Sequence, residues 1–508
     1  MQEEYLNIGD RASEIDNPKD RKIYRFLEIL PGFLSLSVLG FAVLFSFIKP
    51  VWVGIFIICF VIYWVLKSFY ISFYQIFCFK NLKKNLKENF FEKLLKIKNW
   101  QKIYHLIILP VYKEGFEVMD DTIKSISLTQ YPKEKLIVIL AVEEKGGEEV
   151  IKTADLIEEK YKNSFLKLKT IIHPKDLPGE IAGKGSNVAY AGEKAKEMII
   201  DEEKIPYENI IVSNFDIDSK VYPQYFALLT YTYLTKKDAK NASFQPVPVY
   251  HNNIWEAPTI TRIVSVSNTF WQMVQQERPE KLVTYSSHSM PYQIFLKVGY
   301  PKNVVSDDSR IFWKSFFYFN GNYKVIPLYY PISMDVVAAT NWKEIFFNQY
   351  KQQRRWGWGC TEIPYVIFNF LKNNLIPFRK KIFHSLTLIE GFLTWSCASL
   401  IILVFGWFPI FVGGEEFKIS LFSYNLPRLT GRILTFGMAC ILIQTIITFL
   451  FLPPRPKKIP KLKNILMALQ WFLLPLTLII FGAFPALDAQ MRLLFGKYMG
   501  FWCTPKPR

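Results

Sequence analysis

The chain has 508 residues, half of them hydrophobic and 17% aromatic, with 21% charged and a net charge of +18 at pH 7. Disordered chains are polar and poor in aromatic residues, so that class is excluded. Six well-separated cysteines with no CxxC pair exclude a disulfide framework and a zinc-finger pattern.

Residues 29–48 form an uncharged apolar run of the length a spanning helix needs, roughly 20 residues. It is expected to remain as a span. It is too long for the apolar region of a signal peptide, and no small-residue cleavage site follows it. Lys49-Pro50 marks a turn. A second run reaches residue 79, interrupted by Lys67, whose stem can carry its charge to the headgroups. Residues 1–79 therefore read as a polar segment and a membrane hairpin.

Residues 80–102 place Leu82, Leu86, Phe90, Leu94 and Ile97 near helical spacing among lysines. That predicts an interfacial amphipathic helix, or one packed on a soluble domain. Residues 103–362 have ordinary soluble composition. Short apolar runs at 104–111, 136–142, 168–173 and 210–215 predict buried strands. Helical patterns fall at 120–129, 148–162 and 186–200. This alternation predicts an α/β domain with a doubly wound, mostly parallel sheet.

Residues 363–385 are expected as a second interfacial helix, or one packed on the soluble domain. Residues 386–484 hold three further apolar runs, at 386–411, 433–452 and 465–484, and residues 485–508 form a tail. Two spans before the soluble domain and about three after it are therefore expected. Lysines and arginines flanking these runs put the soluble domain in the cytoplasm, at a plasma (inner) membrane. They also account for much of the positive charge, so nucleic acid is not expected as a partner. Five spans would leave the tail outside, yet it carries Arg492, Lys497, Lys506 and Arg508. Pro475 and Pro485 are expected to fold the last run back. No charged pair lies well inside the runs, which argues against a transporter. A catalytically silent scaffold is the other non-enzymatic reading, and the intact aspartates described next argue against it.

Ligands of doubly wound sheets bind at the carboxyl ends of the strands. There the sequence puts Tyr112 and Glu114 after the first strand, Glu143 and Glu144 after the second, and Asp216 and Asp218 after the fourth. Two carboxylates at this spacing suit a hard divalent cation. Gly183-Lys184-Gly185 precedes a helix, where small residues, amides and a lysine favour an anion. Ser306-Asp307-Asp308 follows an apolar pair. Gln352, Arg355 and Trp356 share one helix face, suited to a sugar and a phosphate. His288 is expected to be hydrogen-bonded structure.

Together these motifs resemble family 2 glycosyltransferases of the GT-A fold. The similarity is to the membrane-embedded branch that includes cellulose, chitin and hyaluronan synthases. The Pro110-x-Tyr112-x-Glu114 strand end, the DxD at 216–218, the TED-like 306–308 and the QxxRW at 352–356 match in order. The resemblance implies that Tyr112, Glu114 and Glu143 bind the nucleoside, that Lys184 and Asp216 meet the diphosphate, and that Asp216 and Asp218 hold Mg²⁺ or Mn²⁺. It implies catalytic roles for Asp308, as general base, and for Asp307. It also implies that Gln352, Arg355 and Trp356 line the acceptor and leaving group. Residues 501–506 are similar to the FxVTxK gating segment of cellulose synthases, with Cys503 for valine. The chain departs from the pattern at Glu143, where an aspartate is usual, and at Ser306 and Asp307. It also has fewer helices after QxxRW. The implied activity is inverting hexosyl transfer (EC 2.4) from a nucleotide sugar, UDP-linked by expectation, to a growing polysaccharide; a membrane lipid or short glycan is the alternative acceptor. Membrane lipids are the remaining expected partner.

Overall fold

The structure, a computed structural model, describes residues 4–505. Its centre is an eight-stranded sheet. In chain order the strands are β1 (Tyr104–Val111), β2 (Leu136–Glu143), β3 (Lys167–His173), β4 (Ile210–Asn214), β5 (Lys220–Val221), β6 (Ala242–Val249), β7 (His288–Pro291) and β8 (Lys324–Ser333). They lie side by side as β3-β2-β1-β4-β7-β6-β8-β5. The first four pair in parallel, as the alternating pattern predicts. β7 then runs antiparallel to both β4 and β6, while β8 runs parallel to β6 and antiparallel to β5. The sheet is therefore mixed, and its second half was not legible as strands.

Residues of β1 and β2 alternate between two apolar layers, as the pleat requires. Leu106, Ile108, Ile137 and Ile139 face one core, while Ile107, Leu109, Val138 and Leu140 face the other. Helices α4 (Phe116–Ser127), α5 (Glu148–Tyr161) and α7 (Tyr225–Thr235) cover the second layer. Helices α6 (Lys184–Ala195), α9 (Tyr292–Val298), α10 (Asp307–Tyr318) and α12 (Glu362–Lys372) cover the first. Cover on both faces explains why these strands read as continuous apolar runs. The remaining helices of this region are α8 (Thr259–Gln276) and α11 (Trp342–Gly357).

Among the described residues, five helices are long and apolar enough to cross a membrane. α1 (Pro18–Ile48) and α2 (Pro50–Lys87) form a hairpin turning at Lys49. α13 (Phe378–Leu403), the broken helix Leu421–Phe451 and the run Leu462–Leu494 follow the sheet domain. The last run is bent by Pro475, a π-helical turn at Leu478–Ala483 and Pro485. Its first turns place Met467 against Trp255 and Met334. Its last turns meet the first turns of α1, where Arg25 donates to the carbonyls of Leu493 and Leu494. Both ends thus lie on the sheet-domain side, and the tail returns there.

Two expected interfacial helices take other forms. Residues 80–87 continue α2. A separate short helix α3 (Phe90–Leu95) then buries Phe90 and Leu94 against the sheet's second layer. Asn89 accepts from the Glu92 amide, which caps the new helix and explains the break. Residues 362–372 form α12, whose Tyr365, Val366, Phe368 and Phe370 are buried in the first layer. Aromatic richness there reflects core packing against the sheet domain.

Candidate active site

The carboxyl ends of the parallel strands open into a cavity of about 1630 Å³. After β1 the chain turns at Glu114, whose Oε2 accepts from the amides of Tyr112 (2.8 Å) and Lys113 (3.1 Å). At the end of β2, Glu143 Oε2 lies 3.1 Å from Nδ1 of His173 on neighbouring β3, and Nε2 of that ring lies 3.0 Å from Glu180. Burial opposes the charged imidazole, but the two glutamates outweigh it and raise the histidine's pKa. After β4, Asp216 and Asp218 enter the cavity wall.

Lys184, the first residue of α6, joins the two acidic groups. Its Nζ lies 2.8 Å from Asp216 Oδ1, and 2.9 and 3.1 Å from the two oxygens of Asp308. Burial alone would lower its pKa; Asp216, Asp308 and Asp307 reverse that and keep the ammonium charged. Asp216 also accepts from Ser286 (2.6 Å). Asp218 is buried, and its Oδ2 accepts from the Asp335 amide at 3.1 Å.

Asp307 and Asp308 begin α10 but diverge. Asp308 is 24% exposed and faces Lys184. Asp307 is enclosed: it accepts from Tyr300 at 3.1 Å, and a Cβ on Gly185 would stand 2.8 Å from its own. Burial and the neighbouring charge of Asp308 push its pKa up to about 8. The native state then holds a proton on Asp307 that the unfolded chain releases near pH 4, so stability falls as pH rises from about 4 to 8. Asp307→Asn mimics the protonated acid. Thermal midpoints across that range are expected to fall less in the variant than in the parent. Equal slopes would show that Asp307 is ionised at neutral pH.

His288 pairs with Asn214 across β4 and β7. Its Nδ1 lies 3.0 Å from the Tyr285 carbonyl and 3.6 Å from Asp308, and burial lowers its pKa. Gln352, Arg355 and Trp356 line the opposite wall from α11. The Arg355 guanidinium lies 4.7 Å from the ring centre of Phe501, and Lys351 lies 5.4 Å from that of Trp502. Cys503 Sγ approaches Glu114 at 3.9 Å. A Cβ on Gly183 would come within 2.6 Å of Phe501. The tail thus lies over the crevice, between the β1 turn and α11. Lys506 of that segment falls outside the described residues.

Among the described residues, no group of three or more His, Cys, Asp or Glu side chains is arranged to hold a metal ion. Asp216 and Asp218 nevertheless supply hard oxygens. Such pairs suit an Mg²⁺-type ion whose other ligands are substrate phosphates and water, so the residues fit a cation that enters with a diphosphate.

No family model matches the chain, and no curated protein matches it. Among solved structures it is similar to the mannosyltransferase PcManGT from Pyrobaculum calidifontis in complex with GDP-Man and Mn2+. Identity is 14% and the TM-score 0.46, over 87% of this chain and 100% of that one. It is also similar to S. aureus TarS 1-349 in complex with UDP-GlcNAc, at 13% identity and a TM-score of 0.37, over 68% and 91% of the two chains. Both TM-scores fall below 0.5, so the fold rests on the strand order and the site on its side chains.

Several residues at the site had no sequence signal. Asp10 is buried, and its Oδ2 accepts from the Val305 amide and from the Trp358 indole, each at 3.0 Å. It therefore ties the loop before Asp308 to the end of the helix carrying Arg355. Arg310 supports it from 3.6 Å, and is itself held by Glu362 at 3.1 Å and by the Ile8 carbonyl at 2.8 Å. Nothing in the local pattern around Asp10 marks it, because its partners are hundreds of residues away. Glu390 of α13 likewise pairs with Lys67 of α2, a contact between two apolar runs that carry one charge each.

Proposed function

We propose that this protein is a membrane-bound, inverting glycosyltransferase of the family 2, GT-A type, using a nucleotide sugar. The observation that supports this most directly is Lys184, whose ammonium bridges Asp216 and Asp308 within one strand-end cavity that Arg355 also lines. A nucleoside diphosphate brings negative charge to that ammonium. Lys184 then turns from Asp308 towards the diphosphate, and Arg355 adds a second positive charge on the leaving-group side. Charge building on the diphosphate as the sugar bond breaks is met by groups already in place.

Asp308, released from Lys184, accepts the proton of the acceptor hydroxyl as its oxygen attacks the anomeric carbon. One displacement from the face opposite the diphosphate inverts the anomeric centre. Asp307 stays protonated and, held by Tyr300, fixes the start of α10. Tyr112, Glu114 and Glu143 form the nucleoside end, with Glu143 oriented by His173. Gln352 and Trp356 shape the acceptor side. Asp216 and Asp218 would hold Mg²⁺ or Mn²⁺, which neutralises diphosphate charge when bound. We place the sheet domain in the cytoplasm of a plasma (inner) membrane, where nucleotide sugars are made. The acceptor expected from the QxxRW pattern is a polysaccharide. A lipid is the second reading, favoured by the apolar extension of the cavity described below.

The test is product analysis. Purified protein in nanodiscs is incubated with a panel of radiolabelled UDP- and GDP-sugars, and label is followed into water-soluble, polymeric and solvent-extractable fractions. Transfer from one donor, with release of the nucleoside diphosphate, is expected. Failure to bind or cleave any donor overturns the reading.

A further inference from the structure

The active-site cavity does not stop at the sheet. It continues between α2, α13 and the helix Leu421–Phe451, reaching Trp395, Ile402, Leu434, Met438 and Ile441. α13 packs mainly on α1 and the last helical run, with a smaller contact to α2, whereas Leu421–Phe451 packs mainly on α2. A cleft is left between them.

The depth of this cleft can be placed. Lys67 lies about 26 Å along α2 from Pro50 at 1.5 Å per residue, close to the roughly 30 Å of a bilayer core. Lys67 pairs with Glu390, and its ammonium lies 5.4 Å from the Tyr63 ring and 4.7 Å from the Trp64 ring. Arg278 lies 5.5 Å from the Tyr70 ring and pairs with Glu280, and Lys281 lies 5.7 Å from the Phe383 ring. Lysine, arginine, tyrosine and tryptophan gather in this way at the boundary between headgroups and hydrocarbon. Lys380 also lines the cavity. It stands ten residues before Glu390 on α13, about 15 Å nearer the sheet domain, and donates to the Gly321 carbonyl. Three basic and two acidic side chains thus surround the Lys67 level, which leaves it net positive.

Above this belt the lining offers little to a sugar chain. Thr394, Ser399 and Thr477 donate to the carbonyls of Glu390, Leu478 and Leu474. Their donors are therefore spent on backbone, and the Trp64 and Trp395 indoles are the remaining lining donors there. A polysaccharide threaded here would give up hydrogen bonds to water with few replacements, which is costly per group. A hydrocarbon chain gives up none.

The geometry points to an acceptor that is an anionic membrane lipid with a free headgroup hydroxyl. Its acyl chain lies in the cleft between α13 and Leu421–Phe451. Its phosphate meets the belt of Lys67, Arg278 and Lys281. Its hydroxyl reaches Asp308. This inference rests on the glycosyl-transfer reading and adds the acceptor class. The reaction balances: a bond forms between the hydroxyl oxygen and the anomeric carbon, the bond from that carbon to the diphosphate breaks, the hydroxyl proton passes to Asp308, and the nucleoside diphosphate leaves.

The test uses full-length protein in nanodiscs with the donor that the panel selects. One set holds phosphatidylcholine alone, and a second adds phosphatidylserine, which is anionic without a hydroxyl. The third and fourth add phosphatidylglycerol or phosphatidylinositol, which carry both features. Labelled, solvent-extractable glycolipid is expected only in the last two. Ala398→Trp and Leu434→Trp fill the cleft, and are expected to lower glycolipid formation by roughly tenfold or more, with donor binding and donor hydrolysis by water unchanged. Lys281→Glu is expected to raise the KM for the lipid and leave the KM for the donor alone. Label in a water-soluble polymer, at rates that the tryptophan variants do not change, overturns the lipid acceptor. So does cleavage of donor with no label in lipid from any disc. Absence of any donor cleavage falls instead on the glycosyl-transfer reading.

Discussion

Asp308→Asn is expected to leave nucleotide-sugar binding intact and to lower transfer roughly 10²-fold or more, the loss that follows removal of a general base. The side chain keeps its size at the start of α10. Lys184 loses one anionic partner but retains Asp216 at 2.8 Å, so the ammonium remains positioned for a diphosphate. Donor hydrolysis by water should fall less than transfer, because Lys184 and Arg355 still face the leaving group. Titration of the donor alongside initial rates separates the two effects. Loss of donor binding in this variant would show that Asp308 serves the donor, and the assignment of the base would fail.

Asp218→Asn should have the larger consequence for binding. Asp218 is buried, and its Oδ2 accepts from the Asp335 amide. Asparagine can accept that bond through its own oxygen, so the turn after β4 should hold and the protein should still fold. What disappears is one of two carboxylates suited to a divalent cation. Divalent-dependent binding of the nucleoside diphosphate, measured by calorimetry in Mn²⁺ and in EDTA, is expected to vanish. Transfer is expected to fall by about 10²–10³-fold, the scale seen when one preorganised electrostatic group is removed. Full activity in EDTA, or in the variant, would remove the cation from the mechanism.

What the sequence disclosed divides along physical lines. β1, β2 and β4 were legible because each is a short apolar run buried on both faces and bounded by turns, and β3, at the sheet edge, showed alternating burial. β6 and β8 contain Pro246, Pro248, Pro327 and Pro331, which argue against a strand when read locally. Their pairing is irregular between Gln245 and Val247, and only the tertiary fold supplies it. The acidic residues after the strands were legible because topology alone puts strand ends together; Glu114, Glu143, Asp216 and Asp218 line the cavity, whereas Glu144 does not and accepts from the Lys175 amide instead. Their partners were not. That Lys184 bridges two aspartates, that Glu143 leans on His173, and that Asp307 is enclosed while Asp308 is open are facts of side-chain direction, which spacing does not encode. The lysine-rich stretch at 80–102 left two readings open for a related reason. Apolar residues at helical spacing report that a face is buried, not whether lipid or protein buries it.

Asp10 and Phe501 stand nearly the whole chain apart, yet both complete the same crevice. During synthesis the parallel half of the sheet, β1 to β4, can pair before either contact exists. Asp10 must wait for residue 305 to be made, and Phe501 is made later still. The sheet domain of a growing chain therefore has its floor and walls while its cover is still missing. The crevice is covered only once the last helical run has been laid against α1 and the tail can fold back.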